Sequence, residues 1–453
     1  MLLRRLTALY LLLVATGPAD LQSQPAAANP DPSFIYTVAQ VYEPLAWMRG
    51  EERFSKGAAL FIKNGKSERP LLRNFESSAD PIVSFDGQRV LFAGKAHPAD
   101  PWQIWEISLQ GGPPRRITTS TEDCIRPFYL PDDRIVYARK INGRFVIEAL
   151  DPGGGKPLAL THIPASTIPS DILHDGRIVF SAGNPLGVGQ TPEIYTVYSD
   201  GSGVESYRCD HGDARHSARQ HSSGDLIFVS AKGLGRFTSA RAQGIRLDAP
   251  AGQFAGDFAE TTKGEWLLSW RPDSNSTFRI MRWQQGSERM EPVIEEPGAS
   301  LLQPALIASR PVPNRHPSGL HDWPNANLLC LNAYTSKSRF APGSIRSVRI
   351  YAQDGNSGTS LLGSAPVESD GSFFVQVPGD QPLQIELLDA AGKTLKRESG
   401  FFWMRRGEQR GCVGCHAGPE TAPENVVPAV LLKSTTPADL TGKARNASGG
   451  HYF

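Results

Sequence analysis

The chain of 453 residues holds only five cysteines, five methionines and ten histidines. Three of the cysteines, Cys124, Cys209 and Cys330, stand alone, so a disulfide-stapled scaffold is excluded and at most one bridge can form among them. Charge of one sign is lacking too. Forty-seven Lys and Arg oppose 46 Asp and Glu, a formal net charge of +1 with no long run of either sign. That balance excludes an electrostatic case for a nucleic-acid partner or a membrane surface. No apolar run reaches the about 20 residues of a membrane span. The most apolar stretch, Leu6 to about Ala15, follows Arg4 and Arg5 and is followed by small and polar residues. This is the pattern of a secretory signal peptide over residues 1–24, which implies a periplasmic or secreted protein with no span left after cleavage.

What the chain has in quantity is glycine and proline, 44 and 36 residues, in a background 40% hydrophobic and 21% charged. That composition suits many turns and short strands, and all-β is the expected class. One phrase recurs: SFDGQRVLF from Ser84, LPDDRIVYA from Leu130, LHDGRIVFS from Leu173, SSGDLIFVS from Ser222 and TKGEWLLSW from Thr262. Each joins a tight turn to alternating β-branched and aromatic residues, so each reads as a hairpin feeding an inner strand. Most are followed by a second strand pair, as in WQIWEISLQGGPPRRIT from Trp102. Four short strands per repeat of this length mark a β-propeller over 34–310. AALFIKNGKSERPLL from Ala58 resembles an outer strand pair without inner partners, and LLQPALIAS from Leu301 resembles the missing inner strands. Joining them gives six blades, with seven as the alternative.

Beyond Ala308 the text changes. A Pro- and Asn-rich connection leads to segments such as SFFVQV and LQIEL, set between Ser-Asp-Gly and Asp-Ala-Ala-Gly turns. Their alternation predicts a small β-sandwich over 311–400. The remaining segment, 401–453, carries CVGCH at Cys412–His416. Two thiols three apart with a histidine behind them form the attachment motif of haem c: both sulfurs add to the porphyrin vinyls, and the histidine binds iron from below. Cys412, Cys415 and His416 are the candidate haem residues. No second CxxC exists to complete a four-ligand zinc site, and no βαβ context suits a thioredoxin-like pair. For the sixth iron position, His451 and Met404 compete with an open face. In the propeller, CDHGDARHSARQH reads as an inter-blade loop, with metal binding through Cys209, His211 and His216 as the alternative.

The stretch from Pro366 through His416, including FFWMRRGEQRGCVGCH, resembles the middle domain of the hydrazine synthase alpha subunit family, and DCIRPFYLPDDRIVYA resembles its N-terminal propeller. The resemblance implies a propeller followed by a haem-bearing β domain, with Cys412, Cys415 and His416 carried over. In the synthase a tyrosine shortly after the motif can take the iron; residues 417–424 contain no Tyr, which favours His416. The resemblance also implies a metal role for Cys124, facing the haem. Longer members add a cytochrome domain with further CxxCH motifs, whereas this chain has one, so hydrazine formation is not expected of it alone. The expected protein is an exported monohaem c-type cytochrome with a redox partner protein, the propeller serving as docking platform. The alternatives are a propeller-based binding or sensing module with a structural haem, and a redox enzyme with open iron acting on a small nitrogen or oxygen species.

Overall fold

The computed structural model describes residues 32–183, 191–208, 214–240, 244–336, 338–354, 358–398, 400–414 and 424–442. Among the described residues the chain is nearly all β, organised as eight four-stranded sheets, with one short α-helix at Ala429–Lys433. No helix among them is long and apolar enough to cross a membrane.

Six sheets make up the propeller. Their innermost strands are Ser77–Val83, Cys124–Tyr129, Thr167–Ile172, Arg215–Gln220, Gln253–Glu260 and Ser300–Leu306. Each touches the next, and Ser300–Leu306 touches both Gln253–Glu260 and Ser77–Val83, so the sequence of sheets returns on itself. Closure is a strand pairing between the two ends of the unit. Ser300–Leu306 runs antiparallel to Phe34–Ala39, with Phe34 opposite Leu306 and Ala39 opposite Ser300. The join differs from the sequence expectation, which drew both inner strands from 301–309; that stretch supplies one, and FIYTVA supplies the other. Pairing both ends into one sheet removes the open edges that a linear array of sheets would expose.

The recurring phrases lie at the turn between the first and second strand of their sheets. Gly87, Asp133, Gly176, Gly224 and Gly264 all take positive φ, from 68 to 93°. This is the left-handed conformation that the turn needs and that Gly, Asn and Asp reach most easily. At Gly176 the constraint is doubled, because a Cβ would lie 2.1 Å from the Asn314 carbonyl oxygen of the connection to the second unit.

The other two sheets form the sandwich. One has the order Gln409–Cys412, Asn325–Cys330, Phe373–Pro378, Ala438–Asp439; the other Gly358–Pro366, Ser347–Asp354, Leu383–Leu388, Thr394–Arg397. Leu328, Cys330, Val348, Ile350, Val375 and Met404 share the buried core between them. The segment after residue 400 is therefore woven into this unit: Gln409–Cys412 and Ala438–Asp439 both add to the sandwich sheet as parallel partners. Hydrophobic patterning could not show this, since both strands are short and owe their place to pairing with distant chain.

Candidate functional site

The run WMRRGEQRGC, residues 403–412, is held from both sides. Trp403, 1% exposed, packs into the propeller core with its ring edge-on to His162 at 6.3 Å, while the next residue, Met404, is fully buried in the sandwich core. Arg405 donates from Nε to the Asp200 carbonyl in the propeller at 3.0 Å and pairs through its guanidinium with Asp380 in the sandwich. Gly407 takes φ 75°, and a Cβ there would stand 1.8 Å from the His321 carbonyl oxygen. Glu408 is buried and ties the run together: it accepts from the Gly203 amide at 3.1 Å, the Arg405 amide at 2.7 Å and Arg410 Nε at 2.8 Å. A buried carboxylate needs this number of donors to offset lost hydration. Burial keeps His162 neutral by pushing its pKa down, despite Asp380 3.7 Å from its Nε2.

This run delivers Cys412 to the end of an edge strand. Strand Gln409–Cys412 pairs in parallel with Asn325–Cys330, placing Cys412 directly beside Cys330. The Leu331 amide donates to the Cys412 carbonyl at 2.8 Å and fixes the register. Cys412 is partly exposed and leans on the sandwich core; Cys330 is 1% exposed within it. Two residues on, Gly414 lies under the backbone of the 332–335 loop, where a Cβ would meet the Thr335 carbonyl oxygen at 2.2 Å and that of Asn332 at 2.7 Å. The glycine between the motif cysteines is thus demanded by a close backbone approach. Cys415, His416 and His451 lie outside the described residues, as do Cys209 and His211. The portion of the motif that is described suits a haem: a partly exposed cysteine at the end of an edge strand, its Sγ 3.1 Å from the Gly414 carbonyl oxygen.

The remaining candidates are scattered. Cys124 begins an innermost strand, is fully buried in the propeller core, and its thiol is pushed up to about 12 by burial. A thiol this reluctant to ionise is a poor metal ligand without the metal's own charge. His216 corrects the loop reading. It sits on innermost strand Arg215–Gln220, buried, its pKa pushed down to about 4 by desolvation, with Nδ1 3.0 Å from the Ser217 hydroxyl. The strand was hidden because a bulge between His216 and Arg219, with Ser217 at φ 52°, breaks the alternation. Among the described residues no group of three His, Cys, Asp or Glu side chains converges as a metal site.

A buried ionic network crosses the propeller axis. Asp80, Arg126, Ser217, Asp257 and Gln303 occupy bulges of innermost strands, all at positive φ. Arg126 donates to both oxygens of Asp257, at 2.6 and 3.0 Å, and Arg219 Nε adds a third bond at 3.0 Å. Asp80 accepts from Arg53 at 2.5 Å, the Arg126 amide at 3.0 Å and Gln303 Nε2 at 2.5 Å. Burial works against the charge on both carboxylates, yet the surrounding guanidiniums hold their pKa values below the usual range. Arg219 links this network to a cavity of about 530 Å³ whose lining also includes Phe128, Asp171, Phe258, Glu260 and Arg310.

Residues 341–417, which include the whole CVGCH motif, match the family described as the hydrazine synthase alpha subunit middle domain. That segment of the chain is similar to the hydrazine synthase alpha family. The chain's fold is similar to that of Kuenenia stuttgartiensis hydrazine synthase, with a TM-score of 0.77 at 16% identity over 89% of this chain and 72% of that one. A putative TolB from Agrobacterium tumefaciens overlaps less, with a TM-score of 0.44 at 16% identity over 58% of this chain and 88% of that one. No curated protein sequence matches.

The matched segment runs from the sandwich through the clamped 403–412 run to the motif. Sequence reasoning singled out the motif and missed both the clamp and the axial network. A signal for the network was present: Asp80, Arg126, Ser217 and Asp257 each stand seven residues before the turn residue of their phrase.

Proposed function

We propose that this protein is an exported redox protein carrying one covalent haem c, held by thioether bonds from Cys412 and Cys415 with His416 on the iron. The observation that carries this reading is CVGCH beginning at the end of strand Gln409–Cys412 inside the matched family segment. The signal-peptide pattern of residues 1–24 supports it, because haem c is attached outside the cytoplasm. When bound, the haem supplies one-electron chemistry whose potential follows its axial ligands. The chain's own part is positional. Glu408, Arg405 and Arg410 brace the approach to Cys412, and Gly414 lets the motif turn beneath the 332–335 loop. The full burial of Met404 in the sandwich core supports a packing role for it, which leaves His451 or an open position on the distal side. A redox partner protein would exchange the electrons. Intact mass of protein from a host competent in cytochrome assembly tests the proposal: the expected gain is one haem, with reductant-sensitive visible absorption, and unmodified thiols at both Cys412 and Cys415 overturn it.

The propeller cavity favours a second role, ligand binding by the propeller itself. Its size fits a small ligand, and Arg219 and Arg310 on its wall suit an anionic group such as a peptide carboxylate. Thermal-shift titration with short peptides, repeated on Arg310→Ala, tests it: a shift lost in the variant supports binding, and no shift with any peptide removes it.

A further inference from the structure

The register that carries Cys412 to the sheet edge also gives it a neighbour that the motif does not use. Cys330 ends strand Asn325–Cys330 and Cys412 ends strand Gln409–Cys412, and the two are register partners in a parallel ladder. Side chains of register partners project from the same face of a sheet. Both here meet the sandwich core, Cys330 within it and Cys412 packed against it. Strands lie about 4.8 Å apart in a sheet, inside the about 4.4–6.8 Å Cα separation that a disulfide spans. Cys124 belongs to the separate propeller core, so Cys412 is the nearer partner that the described fold offers Cys330.

We propose that, in the chain before haem is attached, Cys330 and Cys412 form a disulfide across this ladder. Cys412, the more exposed of the two residues, is the point of entry. Its thiolate attacks a small disulfide such as oxidised glutathione, forming a mixed disulfide and releasing one glutathione thiol. The Cys330 thiolate then attacks the Cys412 sulfur and expels the second. The two protein thiols surrender two electrons and two protons, and one glutathione disulfide is reduced to two thiols. The consequence rests on the haem reading: a sulfur held in this bridge cannot add to a vinyl group, so bridge and attachment exclude one another and maturation requires a reductant at Cys412.

The test is a non-reducing peptide map of the full chain, exported in a host lacking cytochrome assembly, equilibrated with oxidised glutathione and blocked with an alkylating agent. Trypsin leaves Cys330 in fragment 316–337 and Cys412 in fragment 411–433. The expected result is a linked pair lighter by two hydrogens than the separate fragments, with fragmentation placing the bond on Cys412, in most of the material. In Cys330→Ala the linked pair disappears and Cys412 takes the alkyl label. Cys330 alkylated in the unaltered chain, or fragment 411–433 closed on itself through Cys412 and Cys415, overturns the proposal; the map of the unaltered chain decides even if the variant fails to fold. The haem-loaded protein separates the two readings. A haem mass gain with Cys330 alkylated in the haem-free chain sinks the disulfide alone, and a linked pair with no mass gain in a competent host sinks the haem alone.

Discussion

Asp257→Asn removes one charge from the propeller axis while keeping the side-chain volume and a residue type that tolerates the φ of 46° found there. In the unaltered protein both Asp257 oxygens are engaged by Arg126, and one is shared with Arg219. Asparagine keeps one acceptor and turns a donor toward a guanidinium. Arg126, buried, is left with Asp80 at 3.9 Å as its remaining carboxylate. Removing one partner of a buried ion pair costs about 3–5 kcal/mol, and the retained acceptor places the expected loss at the lower end, about 3 kcal/mol. At about 2 °C per kcal/mol for a unit of this size, the propeller's thermal transition should fall by about 6 °C at pH 7. Calorimetry at several pH values checks the cause as well as the size. The folded-state pKa of Asp257 is depressed, so its contribution is fully present above the unfolded value of about 3.9 and is lost as pH falls through the folded value. The gap between variant and unaltered protein should therefore hold from pH 7 to 5 and narrow progressively as pH falls below about 4 toward the depressed folded value. A loss under about 1 kcal/mol at pH 7, the scale of an exposed pair, or a gap that widens in acid, would refute the reasoning.

Gly407→Ala should cost about 3 kcal/mol, because it combines a left-handed backbone with a Cβ 1.8 Å from the His321 carbonyl oxygen; urea unfolding and faster proteolysis near residue 407 are the measures. Gly414→Ala should lower the haem-bearing fraction in an intact mass spectrum by displacing the motif from the 332–335 loop, and an unchanged fraction would show that this contact does not position Cys412. His216 has its pKa lowered to about 4, so the folded state resists a proton that the unfolded chain accepts near 6.5. Stability should fall by about 3 kcal/mol from this residue alone between pH 6.5 and 4, and His216→Gln should be flat by comparison when urea midpoints are read at both ends. His451→Ala should convert low-spin to high-spin iron if that residue is the distal ligand, and an unchanged spectrum removes it.

The short-range features were legible. The turn phrases showed because a tight hairpin needs a left-handed residue at one position, and only a few residue types reach that conformation without strain. CVGCH showed because its two cysteines and histidine are neighbours in the chain. The histidine-rich stretch misled: its bulge at Ser217 breaks the period by which a strand is recognised, so His216 read as loop.

The amino-acid sequence by itself determined the β class, the repeated hairpins and the motif, since each depends on residues a few positions apart. Tertiary structure alone decided what meets what: Arg126 with Asp257 across 131 positions, Gln303 with Asp80 across 223, Phe34 with Leu306, and Cys330 beside Cys412. Contacts between distant segments impose no local period or turn chemistry on either partner. Their residues become recognisable as a site only when the closed ring and the parallel edge strand bring them together.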